Sequence, residues 1–407
     1  MRVLLIGVFT LLQAVTFAKE LVIATTFSPE VTQQVISEWQ AHSPNQNIRL
    51  INRTASSLQR LLDNPHAEQI DLVLSSSLFL FQHLHQQEKL ALLPSHLLRQ
   101  STLIPENLAQ TTTAVAFSGY GILFNKHLLK AQQLNEPFTL DDLLTPHYLD
   151  SVLVSSPSRS STNHIMLEML LQQRGWQVGW QTWLSLVPQI STISSRSFNV
   201  ADRVKMGFVS AGITIDSYAN RLLTDPNLGF HYFPNSVASP TLIAISRQSR
   251  QPALATEFID FLLTPIGQEM ISAVTMSKFP LQNLPPIHPL AAKQQQLLAQ
   301  PPLDYTLLTQ RQVLVEKLFD VAITFRLHQL KTVWQHLHEK ERKLKRSLPT
   351  IRELLTSLPV SEAQANDTDY LARLQHDKHF VLTEEQRWTT FFQEQINQAL
   401  LALEDEK

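Results

Sequence analysis

The sequence predicts an α/β protein built from repeated strand–helix units and finished by a helical C-terminal third. Two observations carry this. Six times a short apolar run opens into a loop bearing hydroxyl side chains, and most of these loops lead into apolar residues at helical spacing. None of the nine glycines lies beyond Gly267, which favours helix in the last third. Alternation of this kind gives α/β layers with mostly parallel sheets.

The elements follow in order. Leu21 to Ala24 reads as a strand and Thr25 to Ser28 as a turn. Val31, Val35, Ile36 and Trp39 then recur at helical spacing, with Ser28 suited to the N-cap and Pro29 to the first turn. Ile48 to Ile51 leads through Asn52–Ser57 to a helix opened by Leu58, and Ile70 to Leu74 leads through Ser75–Ser77 to one at Phe79. Val152 to Val154 runs into Ser155–Thr162 and a helix from about Asn163 to Arg174. Ile190 to Ile193 runs into Ser194–Ser197 and a helix through Val200 and Val204, and Ile213 to Ile215 runs into Asp216-Ser217-Tyr218.

The N-terminus reads as a cleaved secretory signal: Arg2, an apolar stretch from Val3 to Val15, and Thr16-Phe17-Ala18 before a cut near Ala18. The stretch is shorter than the roughly 20 residues a spanning helix needs. An exported chain without cysteine must rest on core packing, and it lacks the residue that carries a lipid anchor. A Gram-negative periplasm is the expected compartment. The net charge of −2 speaks against nonspecific nucleic-acid binding. Glycine-rich dinucleotide and phosphate loops, G-x-S-x-G and H-E-x-x-H are all missing, so no cofactor or metal is expected.

The junction loops are where function is expected, because ligands of open α/β sheets bind outside the carboxyl ends of the strands. Thr26, Arg53 and Ser76 stand in the first three junctions, Ser158, Arg159, Ser160, Ser161 and Thr162 in the fourth, Ser195 and Arg196 in the fifth, Asp216 and Tyr218 in the sixth. Helix capping accounts for one hydroxyl per junction. It does not account for the hydroxyl cluster around Arg159 or for Ser-Ser-Arg-Ser at 194–197. Free N–H groups at a helix start together with a planar guanidinium suit a phosphate or carboxylate. Other patterns carry less. His83/His85 and His336/His338 are two apart and share no helix face, so they make poor metal pairs. Trp176, Trp180 and Trp183 read as core packing. Tyr120 and Tyr218 each follow a strand-like run and suit either a cleft wall or the core.

At this point the chain resembles a family, the bacterial extracellular solute-binding proteins that serve iron, phosphonate and sugar-phosphate importers. Tyr120–Lys126 resembles the family's first interlobe crossover; Pro137–Leu144 leads, as in the family, to a strand and the turn Pro157–Thr162; Ala255–Gln268 resembles its helix–turn–helix near the end of the binding core. Ala24–Pro29, Asn52–Thr54, Ser155–Ser160, Thr192–Phe198 and the tail from Gln300 are similar to a regulatory branch, whose exported member works with a two-component system that switches on uptake of phosphoglycerates and phosphoenolpyruvate.

The resemblance implies a periplasmic-binding-protein-like fold. Lobe I comprises 19–117 and 238–300, lobe II 118–237 with two hinge crossovers, and a C-terminal helical extension spans 302–407. It implies a small anionic ligand bearing a phosphate and a carboxylate, and a membrane sensor kinase as partner; an ABC permease served by a delivery protein is the alternative. A serine-dependent hydrolase is a second alternative, although no histidine or lysine stands at a recognisable nucleophile–base spacing. Iron-binding members offer adjacent tyrosines, whereas none of the six here are adjacent, so ferric iron is not implied. Ser156 stands where sugar-phosphate members often carry Asp, which suits a more anionic ligand. In the extension, Ile323, Leu327, Leu330, Trp334, Leu337 and Leu344 suggest one long amphipathic helix stopped near Pro349, interrupted at Glu341 and ending in a basic run, Lys340 to Arg346. Trp388, Phe391, Phe392, Ile396 and Leu400 mark a second. These helices are expected either to enlarge the core of lobe I or to dock on the sensor.

Overall fold

The computed structural model describes residues 20–44, 46–64, 68–98, 102–273 and 276–406. The expected signal segment 1–18 lies outside the described residues. The chain builds two sheets in turn. Strands β1 (Glu20–Thr25), β2 (Asn47–Asn52), β3 (Leu72–Ser75) and β4 (Thr113–Ser118) belong to the first. After Gly119 the chain crosses to the second, made of β5 (Tyr120–Asn125), β6 (Val152–Ser155), β7 (Ile190–Ser194), β8 (Ala211–Ile215) and β9 (Leu228–Tyr232). It returns with β10 (Ser239–Ile245) and β11 (Phe279–Pro280). The orders are β11-β4-β10-β3-β1-β2 and β7-β6-β8-β5-β9.

The sheets are mixed rather than mostly parallel. β1 pairs in parallel with β2 and β3, and β6 with β7 and β8. Apart from β11, which is antiparallel to β4, the crossovers account for the rest. A strand that enters a lobe from the hinge runs opposite to strands that finish there, so β5 is antiparallel to β8 and β9, and β10 to β3 and β4. At the first crossover Gly121 has no substitute, because a Cβ there would collide with the His231 carbonyl oxygen.

The strand–loop–helix units form as read, with earlier helix starts. The helix after β6 begins at Ser161 rather than Asn163, which turns the hydroxyl run into its first turn, with Ser160 as N-cap. Pro29 opens the helix Pro29–His42, but the Ser28 hydroxyl accepts no capping bond. Trp176, Trp180 and Trp183 are fully buried, and Tyr120 is buried with its hydroxyl donating to Ser239 Oγ at 2.8 Å, so it belongs to the hinge rather than to a cleft wall.

The extension packs on the second lobe, not on the first. Helix Ser161–Arg174 and helix Trp176–Leu186 leave an apolar face that the second sheet does not cover, and helix Gln312–Ala322 lies on it. Phe319 meets Trp183 edge-on at 5.7 Å between ring centres, and Trp176 Nε1 donates to the Val360 carbonyl at 2.9 Å. The expected long helix begins later than read and stops sooner. Ile323 sits in a break, a 3-10 turn covers Thr324–Arg326, and the helix proper is Leu327–Leu344. Lys345 ends it in the left-handed region (φ 52°), and Pro349 starts the next helix rather than stopping this one. Glu341 departs from the apolar spacing because its carboxylate accepts from Leu348 N–H (2.8 Å) and Arg352 Nε (2.8 Å), fastening that next helix. Trp388, Phe392 and Ile396 are buried on helix Lys378–Asp405.

Candidate functional site

A cleft of about 570 Å³, counting solvent at its mouth, lies where the junction loops of the two lobes meet. Four helices begin at its walls, at Ala55 and Leu78 in the first lobe and at Ser161 and Ser197 in the second. Three of them are capped by hydroxyls: Thr54 accepts from Ser57 N, Ser77 from Leu80 N and Ser160 from Asn163 N. Capping therefore accounts for one hydroxyl at each of these three junctions, while Ser28 and Arg196 make no side-chain cap. The hydroxyls of Thr26, Ser76, Ser161, Thr162, Ser197 and Ser217 line the same space.

The lobes touch across the cleft. Ser77 Oγ and Ser161 Oγ are 2.7 Å apart, Arg196 Nη2 donates to the Thr26 carbonyl at 2.9 Å, and the rings of Phe79 and His164 meet edge-on at 4.5 Å. Arg196 also lies over the Phe198 ring at 4.8 Å.

Arg159, Arg196 and Lys278 line the cleft, and among the described residues no Asp or Glu does. Free helix-start N–H groups add further positive potential. Lys278 is 5% exposed; its Nζ lies 3.3 Å from Ser118 Oγ and 4.9 Å from the centre of the Phe27 ring. Burial lowers its pKa to about 8, opposed by the charge of Asp216. Burial likewise raises Asp216 to about 6, opposed by the Gly119 N–H and the charge of Lys278. Burial pushes the Tyr218 hydroxyl up, against the pull of Arg196 and Arg221.

Eight of the twelve expected site residues come together in this cleft: Thr26, Ser76, Arg159, Ser160, Ser161, Thr162, Arg196 and Tyr218. Four do not line it. Arg53 is exposed, and its loop contributes only Thr54 and Ala55 to the wall. Ser158 turns to Ser156 (2.8 Å), whose hydroxyl donates to Asp320 of the extension at 3.2 Å. Ser195 is exposed and lines a second groove beside β7, which shares Arg159 with the cleft. Asp216 is fully buried behind the wall, where it accepts from Gly119 N (2.7 Å) and Tyr232 Oη (3.2 Å) and so ties the second lobe to both crossovers. The sequence reading missed Lys278, Phe27, Ser197 and Ser217 among the lining residues. The last three adjoin residues that were singled out. Lys278 follows a helix rather than a strand and had no such signal.

These features define a two-lobed binding protein with an anion-friendly cleft. The model of the bacterial extracellular solute-binding protein family matches residues 68–306, and the chain belongs to that family. It is similar, at 47% identity over 391 residues, to the phosphoglycerate transport regulatory protein PgtC of Salmonella typhimurium and to that of Salmonella typhi; each match covers 96% of this chain and 98% of the relative. Among solved structures, the periplasmic binding protein AfuA from Actinobacillus pleuropneumoniae, with fructose-6-phosphate bound, matches with a TM-score of 0.64 at 16% identity, covering 74% of this chain and 98% of that one. Iron-bound HitA from Pseudomonas aeruginosa matches at 0.59 and 16%, with coverages of 74% and 98%. These two similarities show the fold. Both cover about three quarters of the chain, in keeping with an extension added to a shared core. No helix among the described residues is long and apolar enough to cross a membrane, and no group of His, Asp and Glu there could hold a metal ion.

Proposed function

We propose that this chain is a periplasmic binding protein that closes around a small phosphorylated carboxylate, phosphoglycerate or phosphoenolpyruvate, and reports it to a two-component system controlling uptake. The observation that carries the reading is the cleft lining: three cations, no acid, and four helix starts shared between the lobes. A ligand that bonds to both lobes stabilises the closed form, and the shift in population is the signal. The kinship with phosphoglycerate transport regulatory proteins supports the choice of ligand and of a regulatory role. A sensor kinase is the partner this favours over an ABC permease. The Ser/Thr cluster binds and does not act as a nucleophile. Titration calorimetry with 2-phosphoglycerate, 3-phosphoglycerate, phosphoenolpyruvate, inorganic phosphate and glycerate tests it. The phosphorylated carboxylates should bind with micromolar or tighter affinity, about −8 kcal/mol or better, and glycerate should bind far more weakly. Equal affinity for glycerate would remove the phosphate from the account.

A further inference from the structure

The cations of the cleft are unevenly placed. Arg159 and Arg196 belong to the second lobe, at the starts of helices Ser161–Arg174 and Ser197–Lys205. Lys278 belongs to the first lobe, immediately before β11. Its backbone N–H donates to the Ile271 carbonyl at 3.1 Å, and the neighbouring Phe279 ring stacks on Phe117 at 5.3 Å, so its position is fixed by the core of that lobe. The ammonium has three protons and, among the described residues, one acceptor, Ser118 Oγ. It also lies near enough to Asp216 to lower that acid's pKa, and Asp216 Oδ1 has no hydrogen-bond donor among the described residues. Asp216 offers the ammonium charge but no hydrogen bond, so protons are left that an acceptor in the cleft can take. Because Lys278 also lines the cleft, the ligand is the group in a position to do so.

Resting on the anion-binding function proposed above, we propose that Lys278 is the first lobe's anchor for a second anionic group, the carboxylate of a ligand whose phosphate is held by Arg159 and the helix starts of the second lobe. The site thereby selects anions with two charged ends over simple phosphate. Engagement at Lys278 also reaches the hinge, because its bonded partner Ser118 ends β4 at the first crossover.

The test is calorimetry with 3-phosphoglycerate and with inorganic phosphate on wild type, Lys278→Met and Lys278→Arg. Thermal unfolding of the same samples identifies a variant that has not folded, for which Lys278→Gln is substituted. Lys278→Met should weaken 3-phosphoglycerate by at least about tenfold, the loss expected for one charge-assisted hydrogen bond, and phosphate by less than about twofold. Lys278→Arg should recover part of the difference. Equal weakening of both anions, or no change in either, overturns the assignment. A wild type that binds neither anion overturns the underlying function and this inference with it, which is a different result from wild-type binding that Lys278→Met leaves untouched.

Discussion

Asp71 of the first lobe and Glu168 of the second are both buried, and they are satisfied in different ways. In the first lobe Asp71 accepts from Val22 N (3.0 Å), Ser249 Oγ (2.7 Å) and Arg250 N (3.0 Å), all supplied by that lobe. In the second, Glu168 is fully buried and pairs with Arg311 of the extension at 3.1 Å. Arg311 also donates to the Ala365 carbonyl at 3.0 Å and lies over the Trp176 ring at 5.2 Å. The apolar layers show the same contrast. One face of the first sheet closes with residues of its own lobe, from Leu21 to Met276. The tryptophan face of the second lobe shares a core with Leu314, Phe319 and Trp334 of the extension. The first lobe closes one face of its sheet with its own residues, and the second is completed by the C-terminal helices.

The largest expected effect tests that contrast. A chain ending near Gln300 exposes Trp176, Trp180 and Trp183 and strands Glu168 without its partner, so it should be insoluble or lose ligand binding. A soluble truncation with normal affinity would make the extension an independent docking module. Next in size, Arg311→Ala leaves an uncompensated buried carboxylate and should cost about 3–5 kcal/mol, read from the urea midpoint. A loss below about 1 kcal/mol would place the strength of the joint elsewhere.

Affinity comes third. Arg159→Ala should weaken 3-phosphoglycerate by at least about tenfold, about 1.5–3 kcal/mol, with little change in melting temperature because Arg159 is exposed. Arg53→Ala, whose side chain lies off the cleft wall, is the control and should leave affinity unchanged. A reversal of the two results would move the phosphate to the first lobe.

The smallest effect concerns the hinge. Asp216 has a pKa of about 6 when folded against an ordinary 3.8. Its contribution to stability is therefore present below about 3.8 and lost as pH rises through about 6. Asp216→Asn does not titrate, so its melting temperature relative to wild type should climb across that interval. A constant difference would mean that Asp216 has an ordinary pKa in the folded protein.

Much of the cleft was legible because strand–hydroxyl–helix junctions are local: a few consecutive residues specify the strand end, the cap and the free N–H groups. That is why Thr26, the 160–162 run and Arg196 were found from the sequence. Direction at a junction is not local. Ser158 and Ser195 stand one residue from cleft residues and turn elsewhere, and Asp216 is drawn inward by Gly119, which is distant in sequence. Lys278 was invisible for the same reason, since only the return of the chain to the first sheet brings it beneath Phe27. The extension's helices were readable from their apolar spacing, but the lobe they cover was not, because amphipathic spacing marks a buried face and does not name what buries it.

The central claim is that one ligand is gripped by both lobes. Small-angle scattering of the full-length protein in phosphate-free buffer, with and without saturating 3-phosphoglycerate, tests it most directly. The account predicts a smaller radius of gyration with ligand, and no such change with glycerate. A ligand that binds by calorimetry and leaves the scattering curve unchanged would contradict it.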